Sequence, residues 1–307
     1  MRNVHVKYAL RHWREFVWEI VKNTVAWVSI LLTFFASFIS LTSGENPLHQ
    51  ILVNGMEYLL DNPWALACAI LLIALGAAIT HWPRVSTTYH DNRTDIKVII
   101  ENCDLLQQKG LKLIHSVDTF DTTLGSIISP RSLHGAFLNY CQQQGVDIAA
   151  LQQESLATLT NGTTDDSLPG NKIRYPLGTL CPVTVNNEDF VLVSFSHLQA
   201  DGSIQLTKQN YINFLMQLWR NLAVPTIRQD EINVAVMGNR FVDLPAEFST
   251  EQKIDIMIQT FFAASKEKSI CRTLRICVHE NNVQDIDFAR YPTIIEHLAK
   301  RPVLDLQ

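Results

Sequence analysis

The sequence lacks the short motifs that mark several common enzyme classes. It contains no GxxxxGK[ST] phosphate loop, no GxGxxG after a strand-like segment, no GxSxG and no HExxH. Its six cysteines form no CxxC pair and have no histidine at metal-binding spacing. These absences argue against P-loop NTPases, Rossmann-type dehydrogenases, serine hydrolases and zinc proteases. They also predict reduced, mostly buried thiols and no bound metal.

An excess of positive charge is absent as well. The chain has 25 Lys and Arg against 30 Asp and Glu, a formal net charge of −5, which argues against a nucleic-acid partner. Four histidines that follow the hydrophobic region lie far apart in sequence, so each is interpreted as a structural residue; they are His115, His134, His197 and His279. No evident nucleophile occurs, although Asp118 and Asp121 would be the acid/base pair of any catalyst.

The first third of the chain contains two long hydrophobic runs. Residues 24–41, TVAWVSILLTFFASFISL, carry no charge over about 18 residues, roughly the minimum that crosses a bilayer as a helix. Residues 63–82 are also free of charged side chains, and Trp64 and Trp82 bracket them as interfacial aromatics do. We expect two transmembrane helices at about residues 18–41 and 63–82; the alternative is a pair of buried core helices.

Charge around these runs predicts the orientation. Residues 1–23 carry five basic and two acidic side chains, whereas the connector between the runs has three acidic and no basic ones. The positive-inside rule then places both termini in the cytoplasm and the short connector outside, in a multi-pass protein. The basic segment 1–23 is interpreted either as an amphipathic helix on the inner leaflet or as an extension of the first span.

Strand-like and helix-like segments alternate after the second run. Residues 83–95 are expected to be a linker, and residues 96–307 a cytosolic domain. Strands are predicted at DIKVIIENC, LKLIHSV, GTLCPVTV, DFVLVSFSHL, INVAVMG and TLRICVH, and helices at SLHGAFLNYCQQQG, VDIAALQQESLATL, TKQNYINFLMQLWRNL and STEQKIDIMIQTFFAAS. This alternation predicts a three-layer α/β domain with a mixed sheet.

Polar residues follow several of the predicted strands, where α/β sheets bind ligands. Asp104 ends an apolar strand, where its carboxylate is either a hydrogen-bond acceptor for an exocyclic amine or a helix cap. The stretch DTFDTTLGSIISPRSLHGAF places Ser129 and Ser132 at a helix N-terminus, with Gly125 in a tight turn. That arrangement is typical of an anion site, and also of an ordinary helix start.

Two further segments have the same position relative to strands. Gly178 and Thr179 lie at the entry to a strand. Gly238 ends a buried strand and is followed by Asn239 and Arg240. A glycine there lets backbone amides approach a phosphate, and arginine can pair it through two donors.

The order of these segments resembles a macro domain, the ADP-ribose-binding α/β fold. More narrowly, it is similar to the divergent macro domain found behind two transmembrane helices in effectors of Thoeris, a bacterial anti-phage system. FDTTLGSIISPRSLHGAF, YPLGTL and VMGNR carry the resemblance, with WRNL closing the helix between the last two. It covers roughly residues 95–279, and the paired spans ahead of it match the family's architecture.

The resemblance implies a function. In such systems a TIR-domain enzyme makes an ADP-ribose-containing signal from NAD, for the two-span type a conjugate of ADP-ribose with histidine. The macro domain binds this signal without any cofactor, and the effector, as a homo-oligomer in the bacterial inner membrane, disrupts the bilayer and causes cell death or growth arrest. The expected partners are therefore the signal, the lipid bilayer and further copies of the chain.

The resemblance also implies roles for residues. Asp104 would hold the adenine edge, residues 125–135 a phosphate and the distal ribose, and residues 238–240 the other phosphate. The full expected ligand-binding set is Asp104, Asp118, Phe120, Asp121, Gly125, Ile128, Ser129, Ser132, His134, Gly135, Gly178, Thr179, Gly238, Asn239 and Arg240.

The sequence departs from hydrolytic macro domains in the same region. Those members carry an Asn and a run of glycines after the second strand, where this chain reads SVDTFDT with a single glycine nearby. This favours binding without turnover and no catalytic residues. A membrane-tethered ADP-ribosyl hydrolase is the alternative, and a membrane-anchored scaffold for a protein partner is a third hypothesis.

Overall fold

The protein divides into two compact units. The structure, a computed structural model, describes residues 2–41, 47–80, 82, 84–224, 230–238 and 248–300. By contacts within the chain, the first unit is Met1–Arg84 and the second is Val85–Gln307.

The first unit is helical. Its elements are α1 (Arg2–Arg11), α2 (Trp13–Leu41), α3 (Pro47–Asp61) and α4 (Pro63–Thr80). Proline occupies the first position of α3 and of α4, where its missing N–H has no intrahelical partner to lose. Helix α2 packs along α4, and near one end of this pair the rings of Phe16 and Trp82 meet edge to face at 5.8 Å.

Helices α2 and α4 are long and apolar enough to cross a membrane, and most of their side chains are exposed. The two apolar N-terminal helices predicted from the sequence are therefore present. The first begins at Trp13, earlier than expected, and the second ends at Thr80. Exposed apolar side chains around both helices identify them as candidate membrane spans.

The segments around these spans differ from the expectations in two respects. Residues 13–23 belong to α2, so they extend the first span, while α1 is a separate short helix that ends at Arg11. The connector contains α3, which packs against both α2 and α4. The apolar residues of α3 recur every three or four positions, as in a helix. The sequence Asn54-Gly55 within it is, however, typical of a turn.

The second unit is built on an eight-stranded mixed sheet. Seven strands follow the order β1-β2-β10-β9-β3-β7-β6, and β8 pairs with β7. The strands of this sheet are β1 (Ser86–Asp91), β2 (Ile96–Asn102), β3 (Leu111–Val117), β6 (Leu180–Val185), β7 (Glu188–Leu198), β8 (Ile204–Gln205), β9 (Glu231–Ala235) and β10 (Thr273–Val278); β4 (Thr163–Thr164) and β5 (Ile173–Arg174) form a separate hairpin.

Helices cover both faces of the sheet, which confirms the predicted three-layer α/β architecture. The helices are α5 (Leu133–Gln143), α6 (Ile148–Ala157), α7 (Lys208–Leu222), α8 (Thr250–Glu267) and α9 (Tyr291–Lys300). Phe190 and Leu192 of β7 lie in one core cluster with Phe137 of α5. Phe195 is an odd number of positions from Phe190 and Leu192 along β7, and its ring packs edge to face on Phe214 of α7. Side chains of opposite parity point to opposite faces of a strand, so α5 and α7 lie on opposite sides.

The expected linker, residues 83–95, is corrected by the structure, because it contains β1. This strand pairs antiparallel with β2 over Ser86–Asp91, and the connecting turn places Asp95 at φ +56°. Only alternate residues of β1 face the protein, as expected for an edge strand with one solvated face. Its sequence, STTYHD, therefore shows no apolar run.

Candidate functional site

Five parallel strands end at the same edge of the sheet. β2, β10, β9, β3 and β7 run parallel to one another in that order. Their carboxyl ends lead into Asp104 after β2, the loop from Asp118 to Ser132 after β3, and Gly238 after β9. Three strand spacings separate β2 from β3, about 14 Å. The fold thus lines up three of the four predicted segments along one edge, in the spatial order β2, β9, β3.

Asp104 is the cap of a short 3-10 turn, Leu105–Gln107. Its carboxylate accepts a hydrogen bond from the Leu106 amide at 3.0 Å and another from the Gln107 side chain at 3.0 Å. The cap that the sequence left open as an alternative is therefore present. The side chain is exposed and each carboxylate oxygen can accept further hydrogen bonds, so its contact with an exocyclic amine stays a prediction.

A surface depression of about 370 Å³ lies beside Asp104. It brings the turn after β2 together with the end of the loop after β3 and with the exposed side of α5. The residues that line it are Asp104, Leu106, Gln107, Pro130, Ala136, Asn139, Tyr140 and Gln143. Two segments about 25 positions apart in sequence thus form one concave surface, with a carboxylate at its rim.

Asp118, at the start of the loop, is completely buried and internally paired. Its carboxylate accepts hydrogen bonds from the Arg174 guanidinium and, at 3.0 Å, from the Leu198 amide, and it lies 2.8 Å from Nδ1 of His197. Arg174 also pairs with Asp165. These donors compensate the buried charge. Sequence reasoning missed Arg174 and treated His197 only as a structural residue, because both approach Asp118 only through the fold.

Asp121 fixes the next turn of the loop. Its carboxylate accepts hydrogen bonds from the amides of Thr123 and Asn171, each at 2.8 Å. A side chain at Gly170 would overlap this carboxylate, so glycine is required there for the close approach. Phe120, at φ +48°, is buried against the ring of Tyr175. The first part of the loop is thus held against residues 165–175.

The second part of the loop leads into α5 through a capped start. Ile128 is buried, its carbonyl accepts from the amide of Gly125, and Gly125 has φ +90°. The Ser132 hydroxyl accepts from the Gly135 amide at 3.0 Å and donates to the Ser129 carbonyl. A side chain at Gly135 would overlap that same carbonyl. The helix-cap alternative therefore holds for Ser132.

His134 lies inside the protein, 3.3 Å from the Ser116 hydroxyl through Nδ1. Burial lowers the pKa of His134 to about 3 and that of the neighbouring His115 to about 4, so both rings are neutral near pH 7. Among the described residues, Nε2 of His134 and the hydroxyls of Thr119 and Ser194 have no hydrogen-bond partner. Unpartnered buried polar atoms therefore lie near the carboxyl end of β3.

The turn before β6 binds to α7. Gly178, at φ +85°, donates from its amide to the Ser194 carbonyl at 2.7 Å and accepts from the Asn221 side chain at 2.7 Å. The Thr179 hydroxyl donates to the Pro176 carbonyl. The contact of Gly178 and Thr179 with a ligand stays a prediction.

Gly238 ends the segment after β9 with φ +80°. Its carbonyl accepts a hydrogen bond from Nζ of Lys253 at 2.9 Å. Asn239 and Arg240 lie outside the described residues. Sequence reasoning missed Lys253, although helical spacing places it on the same stripe of α8 as the apolar Met257 and Ala264, where a lysine is unusual.

The described residues contain no group of three or more His, Cys, Asp or Glu that could hold a metal ion. All six cysteines are free; four are buried, and burial raises the pKa of Cys141 to about 11 and that of Cys181 to about 12. The predicted burial of most thiols is therefore confirmed.

Comparison with known proteins gives one match by sequence family. Residues 98–279 match the family described as "Thoeris protein ThsA, Macro domain". No curated protein matches the chain.

Solved structures give weaker likenesses. The chain is similar to two single-substitution variants of the Oceanobacillus iheyensis macrodomain, at 12% and 11% identity and TM-scores of 0.44 and 0.42. Each comparison covers 69% of this chain, and 98% or 94% of the other. A variant of tomato leucine aminopeptidase is similar at 12% identity, with 36% of its chain covered and a TM-score of 0.40.

Proposed function

We propose, from the premise that the chain belongs to the family of Thoeris protein ThsA macro domains, that its second unit binds an ADP-ribose-derived signal at the carboxyl edge of β2, β10, β9 and β3. The observation that carries this proposal is the depression in which Asp104 and Pro130 meet. It offers a concave surface beside an exposed carboxylate, as recognition of an adenine amine requires.

The predicted contacts are distributed along this edge. Asp104 would accept from the adenine amine, residues 125–135 would surround one phosphate and the distal ribose, and Gly238 with Asn239 and Arg240 would hold the other phosphate. Asp118, Phe120, Asp121, Ile128 and His134 are each at most 3% exposed, so we propose that they shape the loop from within. Gly178 and Thr179 would support this site from the neighbouring turn.

The further proposal concerns the whole effector. The ligand would be the histidine conjugate of ADP-ribose made by a TIR-domain enzyme of the same anti-phage system. Its binding would favour one arrangement of several protomers over another, because a ligand shifts such an equilibrium only by its differential affinity. Two candidate spans per chain are too few to enclose a wide pore, which favours a homo-oligomer that disrupts the inner membrane.

Titration calorimetry of the full chain in detergent tests the binding site. The wild type should bind ADP-ribose or its histidine conjugate. The variant Asp104→Asn keeps one side-chain oxygen to accept from the Leu106 amide, but it replaces the second carboxylate oxygen with an NH₂ donor. A hydrogen bond to a charged group contributes roughly 1.5–3 kcal/mol. The affinity for the ligand should therefore fall about tenfold or more.

The matched control is Asp147→Asn, which makes the same change at the cap of α6. It should leave the affinity unchanged. Failure of both compounds to bind the wild type at micromolar concentration would contradict the proposed function, and equal affinity of Asp104→Asn and wild type would remove Asp104 from the site.

One observation favours the alternative, a membrane-tethered ADP-ribosyl hydrolase. The His197 ring is partly exposed and is oriented by the buried carboxylate of Asp118, an arrangement that suits a general base. Consumption of an ADP-ribose ester during the same titration, lost in His197→Asn, would support hydrolysis. An unchanged ester after prolonged incubation would support binding without turnover.

A further inference from the structure

Lys253 is a buried amine directly behind the carboxyl edge. Only 2% of its surface is exposed, and it lies in the first turns of α8 between apolar neighbours such as Ile254 and Met257. Burial of a cation costs free energy unless its donors are satisfied. Its Nζ donates to the carbonyl oxygen of Gly238 at 2.9 Å. This bond ties α8 to the turn after β9.

The same turn is held from α7. The hydroxyl of Tyr211, which is fully buried, donates a long hydrogen bond of 3.5 Å to the carbonyl of Met237. Two successive carbonyls, those of Met237 and Gly238, are thus fixed by side chains from the helix layer. In a trans peptide the C=O and the following N–H point in opposite directions. The amide N–H of Gly238 therefore points away from Tyr211.

We propose that Lys253 is the positioning residue of an anion subsite at the Gly238 turn, where it holds the turn's carbonyl inward and places a positive charge beneath a bound phosphate. The inference rests on the proposed function, since the phosphate is that of an ADP-ribose-derived ligand. The φ of +80° at Gly238 is a left-handed backbone conformation, of the kind found in turns whose amides bind anions.

The chemistry favours a phosphate over a neutral ligand at this position. The positive charge of an amine behind the turn attracts negative charge in the ligand, and this attraction is strong where water is excluded. Sugar hydroxyls and the adenine ring gain little from it. Lys253 should therefore affect the affinity for phosphate-containing ligands selectively.

The test is titration of ADP-ribose into the full chain in detergent, comparing wild type with Lys253→Met. Methionine keeps an unbranched side chain in an apolar site, and apolar replacement of a buried charge is often neutral for stability. ADP-ribose affinity should fall at least tenfold. Adenosine, which has no phosphate, should compete to the same extent in both proteins, and the melting temperature should stay close to that of the wild type.

Two further variants separate the effects. Lys253→Gln keeps a donor for Gly238 without the charge, and its affinity should lie between those of Lys253→Met and wild type. Lys266→Met removes the same charge from an exposed position about 20 Å along α8, and should bind as wild type does.

The outcomes decide between the two proposals. Affinity of Lys253→Met within twofold of the wild type would overturn the positioning role. So would a loss of ADP-ribose affinity accompanied by an equal loss of adenosine competition, since that would indicate a purely structural residue. Absence of ADP-ribose and conjugate binding in the wild type would instead contradict the proposed function on which the role depends.

Discussion

Asp118 and Asp121 show how buried charge can fix the loop after β3. Each carboxylate accepts backbone hydrogen bonds, Asp118 from Leu198 and Asp121 from Thr123 and Asn171. Because Leu198 lies on β7 and Asn171 lies within residues 165–175, the loop after β3 is fixed from two sides. A preorganised loop loses less conformational entropy on binding a ligand.

A different carboxylate, Asp255 of α8, carries a testable pH dependence. Burial raises its pKa from 3.8 to about 6, with repulsion from Glu251 adding to the effect. The folded protein then binds this proton more tightly than the unfolded chain, so the free energy of unfolding should fall as pH rises from about 4 to 6. Asp255→Asn should remove this fall and stabilise the protein at pH 7 by about 1–2 kcal/mol, a value reduced for partial exposure.

Urea unfolding between pH 4 and 8 measures this effect. Asp166→Asn makes the same charge change on an exposed side chain and controls for net charge. A pH profile of Asp255→Asn that parallels the wild type's would show that Asp255 is not the titrating group.

At the scale of elements, the junction between the loop and α5 depends on one close approach. A side chain at Gly135 would overlap the carbonyl of Ser129. Because this carbonyl is part of the backbone, relief of the overlap would require a shift of the chain. Gly135→Ala should therefore displace the loop, lower the free energy of unfolding by about 2–3 kcal/mol and weaken ADP-ribose binding.

The control for this change has the opposite sign. Gly55 lies within α3 with nothing near its missing side chain, so Gly55→Ala should be neutral or stabilise by roughly 0.5–1 kcal/mol. Differential scanning calorimetry of both variants checks the pair. Wild-type stability and affinity in Gly135→Ala would contradict the required close approach.

Apolar periodicity explains which elements could be predicted. β3 was expected at LKLIHSV and occupies Leu111–Val117. α7 was expected at residues 207–222 and occupies Lys208–Leu222. Both elements bury a long row of apolar side chains, which gives a strong periodic signal in the sequence. The exposed edge strand β1 and the short helix α9 were missed, since their polar faces dilute that signal.

The site was less predictable than the fold. Asp104, the loop after β3 and Gly238 could be predicted to lie at the carboxyl edge because each follows a strand in sequence. Arg174 and Lys253 could not be found as partners of Asp118 and Gly238, because they approach from elements far away in the chain. Pairing of buried polar groups depends on tertiary contacts, which hydrophobic periodicity does not contain.

At the scale of the whole molecule, the hydrophobic helices bear on the compartment in which the proposed ligand site would lie. Two spans return the chain to the side of the membrane on which it began, so both termini should share one compartment if α2 and α4 each cross once. The basic residues before the first span and their absence from the connector predict that this compartment is the cytoplasm. A signal produced inside the cell would then reach the carboxyl edge directly.

Reporter fusions at the C-terminus test this arrangement. A fluorescent protein that matures only in the cytoplasm should be bright there, and a phosphatase that is active only outside the inner membrane should be inactive. The same phosphatase inserted within residues 42–46 of the connector should be active, which provides the matched control on one chain. An active phosphatase at the C-terminus would place the second unit outside the cytoplasm, and the proposed recognition of an intracellular ADP-ribose signal would then be wrong.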